Sequence, residues 1–137
     1  MVRLRQAFTS NLPQLPAMRA LVREACRQGW GEAGDDEAVD QVELALGEAA
    51  TNVMLHAYEG RPDQPIELAV EADGDRVCVT LHHHGRAFDP QAVPPPAFDG
   101  SRESGFGLYL IQACVDTVEY FQDADGRRGV RLVKVRK

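Results

Sequence analysis

Residues 41–58, Q-V-E-L-A-L-G-E-A-A-T-N-V-M-L-H-A-Y, decide how the chain is read. At 100° per residue, Val42, Leu46, Ala49, Ala50, Val53 and Ala57 fall on one apolar arc, so Gln41–Tyr58 is expected to form a single helix. Glu48, Asn52 and His56 recur at i, i+4 and i+8 and make a polar row along the edge of that arc. Small neighbours, Ala45 and Ala49, leave room for a ligand to approach. A carboxylate one turn from a carboxamide can set a base beside a metal or phosphate ligand. The plain alternative is a solvated helix edge with an ordinary i, i+4 pair.

On either side of this helix the chain alternates cleanly between strand and helix patterns. Val2–Phe8 alternates like a strand. Thr9, Ser10 and Asn11 offer N-cap side chains, and Pro13 and Pro16 suit the start of a helix carrying Leu15, Met18, Leu21, Val22, Ala25 and Cys26. Gly29 is expected to stop that helix, with Gly31–Gly34 as the link. Asp35, Asp36 and Glu37 follow, where negative charge favours the start of the central helix. That helix should end before Gly60 and Pro62. Ile66–Glu71 and Arg76–Leu81 read as a hairpin across Ala72-Asp73-Gly74-Asp75. After His82-His83-His84 and G-R-A-F-D-P comes a long loop, Ala92–Ser104, and then Gly105-Phe106-Gly107 opens a helix with Leu108, Leu110, Ile111, Cys114 and Val115. Thr117–Gln122 and Val130–Val135 are the last strands, joined by Asp123-Ala124-Asp125-Gly126. The order β-α-α-β-β-loop-α-β-β, with hairpins and no repeated βαβ unit, predicts an α+β two-layer sandwich. Its sheet is mixed, mostly antiparallel, with the helices on one face.

Composition narrows the function. The 137 residues suit one domain, 44% hydrophobic and 26% charged, with no apolar run near the length of a bilayer span. The N-terminal stretch has no signal-peptide core, so a cytoplasmic protein without membrane contact is expected. A net charge of -6 argues against direct nucleic-acid binding. Cys26, Cys78 and Cys114, widely spaced in apolar segments, are expected to be reduced core residues. His82–His84 could suggest a metal, but strand alternation puts only His82 and His84 on one face, and no cysteine or carboxylate partner lies nearby in sequence.

Three places could carry chemistry: the Glu48/Asn52/His56 row, the turn after His82–His84, and Gly105-Phe106-Gly107, whose free amides at a helix start suit phosphate. Taken together, E-A-A-T-N-V-M-L-H-A-Y, G-R-A-F-D-P and S-G-F-G-L-Y-L-I-Q-A-C-V-D-T-V-E-Y resemble the anti-sigma-factor serine/threonine kinases. These are small bacterial members of the gyrase/histidine-kinase ATPase superfamily. The resemblance runs over nearly the whole chain and implies a histidine-kinase-like ATPase fold that binds ATP and Mg2+. It implies phosphorylation of a small STAS-type anti-sigma-factor antagonist, control of a sigma factor, and a homodimer as a possible assembly. By the same resemblance Asn52 matches the magnesium-binding asparagine and Glu48 the general base toward the substrate hydroxyl. His56, Phe106 and Leu108 fall in the nucleotide-binding segments, Gly105 and Gly107 match the phosphate-contacting glycines, and Ala92–Ser104 matches the lid. The chain departs from the family at the adenine motif D-x-G-x-G, where His83, Gly85 and Ala87 stand. A neutral imidazole can accept one hydrogen bond but lacks the carboxylate's charge, and Ala87 adds a methyl group. The rival expectation is a non-catalytic module that keeps the fold and a partner surface without nucleotide.

Overall fold

The computed structural model describes residues 1–31, 36–88 and 106–136. Strand β1 (Val2–Thr9) leads through a 3-10 turn (Leu12–Gln14) into α1 (Leu15–Trp30) and α2 (Asp36–Asn52). The hairpin β2 (Pro65–Ala72) and β3 (Arg76–His83) follows, then α3 (Phe106–Cys114), β4 (Thr117–Gln122) and β5 (Arg128–Val135). The strands form one sheet in the order β1-β2-β3-β5-β4, and every pairing is antiparallel.

Alternation along the strands sets the two faces. In β2, Ile66, Leu68, Val70 and Ala72 are buried, and the register aligns them with His83, Leu81, Val79 and Val77 of β3, of which Leu81 and Val79 align onward with Val130 and Leu132 of β5. Against this face pack Met18, Val22, Ala25 and Cys26 of α1, Val42, Ala45, Leu46 and Ala49 of α2, and Ile111 of α3. The opposite face carries charge: Arg3 pairs with Glu71 and Arg5 with Glu67 at 3.6 Å, and Arg131 with Glu119 at 3.0 Å. Such exposed pairs add little stability, but they keep that face in water. The two-layer α+β architecture with helices on one face is the one expected from the sequence. The sheet of the described residues is wholly antiparallel where a mixed one was expected, because the strands join as hairpins or through antiparallel returns.

Four local expectations are corrected. Gly29 does not stop α1, which runs on to Trp30 and ends at Gly31 with φ 87°. Gly29 is needed for approach instead, because a Cβ there would lie 2.6 Å from the Cβ of Ala72. Asn11 and Ser10 do not cap the first helix; Asn11 Nδ2 donates to Asp63 and Ser10 Oγ to the Arg61 carbonyl, tying the start of the chain to the loop before β2. Cys26 and Cys114 are buried, but Cys78 is only half-buried, on the charged face opposite Glu71 and Val133. Finally, α2 keeps α-helical geometry only to Asn52, and Val53–Ala57 is a π-helical turn.

Candidate functional site

The π turn shapes the site. The Tyr58 amide donates to the Val53 carbonyl at 2.9 Å, five residues back, so the backbone widens over the last stretch of the apolar arc, whose Val53, Met54 and Ala57 stay buried. Tyr58 itself is almost fully buried; its hydroxyl donates to the Pro65 carbonyl at 2.5 Å and accepts the His84 amide at 2.8 Å. The Ala57 carbonyl, released from the α-helical ladder, accepts the Arg86 amide at 2.8 Å. This bond pulls the segment after β3 against the turn. Gly85 makes that approach feasible, since a Cβ there would sit 2.6 Å from the Ala57 oxygen.

His83, the last residue of β3, is 5% exposed and stands beside this junction. Its ring meets Tyr58 edge-on at 5.8 Å, and its Nδ1 accepts the Gly85 amide at 3.0 Å. Burial, with the Arg128 guanidinium adding to it, drives its pKa down to about 4, so the ring is neutral at physiological pH. Arg128 reaches across from β5 and donates to the Gly85 carbonyl at 3.0 Å.

Between the end of α2, the π turn, the β3 exit, the start of α3 and the β4–β5 pair lies a cavity of about 1000 Å³. Asn52, His56, His83, Ala87, Gly107 and Leu108 all line it. Such a volume stands at the upper end of the range for ligand sites. One wall is aromatic, with Phe88 tilted against Tyr120 at 4.8 Å, and burial pushes the Tyr120 hydroxyl up to about 12. Gly107, in the first turn of α3, leaves a notch beside α2: a Cβ there would lie 3.0 Å from Glu48 Oε2 and 3.7 Å from Asn52 Oδ1. Glu48 and Asn52 are half-buried, and neither side chain has a hydrogen-bond partner among the described residues. An unpartnered carboxamide and carboxylate, beside a backbone kept bare and a helix start, fit a magnesium–phosphate group. Magnesium takes oxygen ligands and keeps several waters, so few protein ligands suffice.

The structure thus gathers most of the residues singled out in the sequence, with differences. The π turn breaks the i, i+4 phase after Asn52, so His56 is no continuation of the Glu48/Asn52 row; it is exposed and reaches the cavity from the turn. Glu48 does not line the cavity itself but stands behind Gly107. Gly85 is buried under Ala57, outside the lining. His83 spends its acceptor nitrogen on Gly85 and cannot offer it to a ligand, against the expectation that the imidazole would accept. Phe106 begins α3; Gly105 and the loop Ala92–Ser104 lie outside the described residues. Among the described residues no cluster of histidine, cysteine and carboxylate could hold a metal alone. Sequence inspection missed the β4–β5 wall, above all Tyr120 and Arg128. The alternation of β4 was the one available signal, since it places Tyr120 on the helix-covered face.

The fold is that of a histidine kinase-like ATPase domain, and comparison with known proteins agrees. The profile of the histidine kinase-like ATPase domain matches residues 8–134. The chain belongs to that family. It is similar to the serine-protein kinase RsbW of Listeria innocua, 28% identical over 132 residues, covering 90% of this chain and 84% of the relative. The serine-protein kinase RsbW of Staphylococcus epidermidis is 29% identical over 124 residues, covering 83% of this chain and 78% of that protein. Both bear out the resemblance to the anti-sigma-factor kinases. Among solved structures, the RsbU and RsbW domains of Rv1364c from Mycobacterium tuberculosis superpose with a TM-score of 0.67 at 16% identity. The match covers 100% of this chain and 33% of that longer one, and shows the shared fold. Among the described residues no helix is long and apolar enough to cross a membrane.

Proposed function

We propose that the chain is a nucleotide-dependent protein serine/threonine kinase of the anti-sigma-factor type, working as a single cytoplasmic domain. It takes a magnesium-bound nucleoside triphosphate, ATP in the family's pattern, and phosphorylates a small STAS-type antagonist. A sigma factor is released or captured accordingly. One observation carries this reading: Glu48 and Asn52 stand unpartnered and half-buried on either side of the notch at Gly107. With no partner among the described residues taking their oxygens, both side chains are free to meet a ligand at that notch.

Asn52 would hold the metal through its carboxamide oxygen, and Gly105 and Gly107 would let backbone amides reach the phosphates. The magnesium ion supplies charge neutralisation on the phosphate oxygens. Glu48, one turn before Asn52, is placed to take the proton of the incoming serine or threonine hydroxyl. Leu108 and the aromatic wall exclude water from the cavity.

The rival, a binding module without nucleotide, draws on His83, whose acceptor nitrogen is taken by Gly85. Transfer of labelled phosphate from γ-labelled nucleotide to a purified STAS-type antagonist separates the two. Glu48→Gln should lower the transfer rate by about 100-fold or more with nucleotide affinity unchanged. Full transfer by Glu48→Gln would remove Glu48 as the base, and no transfer by the wild-type protein would favour the rival.

A further inference from the structure

Two polar side chains at the β3 end of the cavity, His83 and Arg128, present donors, while Gln122, paired with Arg128 in the sheet, also lines the cavity and can donate or accept. A backbone amide can only donate, so the bond from Gly85 N–H to His83 Nδ1 at 3.0 Å fixes the lone pair on Nδ1. The ring is neutral, and its single proton therefore sits on Nε2, which has no partner among the described residues. Beside it, Arg128 spends one guanidinium nitrogen on the Gly85 carbonyl, while its Nε is buried with no partner among the described residues. The acceptors close by are occupied: the Gly85 carbonyl by Arg128, and the Ala57 carbonyl by the Arg86 amide. His83 and Arg128 line the cavity together with the Phe88–Tyr120 ring pair, an apolar slab suited to a planar heterocycle. An occupant presenting an amino group here would set donor against donor and leave His83 Nε2–H unsatisfied. A carbonyl oxygen would satisfy it.

We propose that the His83–Arg128 end of the cavity selects a 6-oxopurine base, guanine or hypoxanthine, over adenine. The inference rests on the nucleotide-binding function proposed above and names the base that goes with it. The 6-oxo group accepts from His83 Nε2–H, with Arg128 supplying positive potential behind it. Adenine offers its amino group at the same position.

Titration calorimetry of the wild-type protein with Mg·GTP, Mg·ITP and Mg·ATP tests this directly. GTP and ITP should both bind at least about tenfold more tightly than ATP, the discrimination expected when a buried donor is either met or left unpaired. His83→Asn, whose amide can accept from Gly85 and still donate into the cavity, should keep that order; His83→Asp should reverse it. ATP binding as tightly as GTP to the wild-type protein would overturn the inference while leaving the nucleotide function standing. Preference for GTP without preference for ITP would also overturn it, because the selection would then lie at the 2-amino group. A folded His83→Asp protein with unchanged order would do the same. Absence of heat with all three nucleotides would remove the proposed function and this inference together. The wild-type comparison needs no variant to fold.

Discussion

Gly107 stands where any side chain would press on Glu48: a Cβ built on its backbone lies 3.0 Å from Glu48 Oε2. The α2–α3 crossing therefore depends on a glycine at this point, and the space it leaves is the notch flanked by Glu48 and Asn52.

Gly107→Ala is expected to displace the Glu48 carboxylate by a few tenths of an ångström without unfolding the protein, since the atom in the way is the end of a flexible side chain. Alanine also favours the helix over glycine. Phosphoryl transfer should fall by about tenfold or more with the melting temperature unchanged or raised. A variant with wild-type transfer would show that Glu48 needs no fixed position.

Gly85→Ala should behave in the opposite sense. Here the obstacle is backbone: the Cβ would meet the Ala57 carbonyl oxygen at 2.6 Å and the carbonyl carbon at 2.7 Å. The π turn and the β3 exit must part, breaking the Arg86–Ala57 hydrogen bond. A loss of about 1–3 kcal/mol is expected in urea unfolding. Stability equal to wild type would mean that the junction is pliant and does not define the cavity wall.

How much of this could be read in the chain follows from which interactions are local. The apolar arc of α2 and the alternation of β2 and β3 are periodic, so the residue order alone displays that helix and those strands. The Glu48–Asn52 spacing lies within one α-helical turn and is equally legible. The π turn is not, because V-M-L-H-A has the composition of ordinary helix and its widening depends on Ala57 finding Arg86 nearly 30 residues on. The proton position on His83 is hidden too: the family's motif draws attention to the side chain, but the Gly85 amide decides what that side chain can do. Arg128 and Tyr120 join the site only through strand pairing across the sheet.

His83 also predicts a pH dependence. Its folded-state pKa, about 4, lies below the ordinary 6.5, because burial disfavours the charged ring. The unfolded chain thus binds the proton more readily. The stability from a neutral His83 is complete above about pH 6.5 and drains away as the pH falls toward 4, by up to about 3 kcal/mol. Urea unfolding of His83→Asn, compared with wild type between pH 7 and pH 4, should show a flatter dependence by about that amount. Parallel curves would mean that His83 is protonated in the folded protein well above pH 4.

The central claim is that Asn52, beside Glu48 and Gly107, holds a magnesium-bound nucleotide. Calorimetric titration with ATP and with GTP, each with magnesium and with EDTA, for the wild-type protein and Asn52→Ala, tests it most directly. Saturable binding of at least one nucleotide that weakens by about tenfold or more on chelation, and no magnesium effect in the folded Asn52→Ala protein, is the predicted result. Binding indifferent to both chelation and Asn52→Ala, or no binding of either nucleotide, would contradict it.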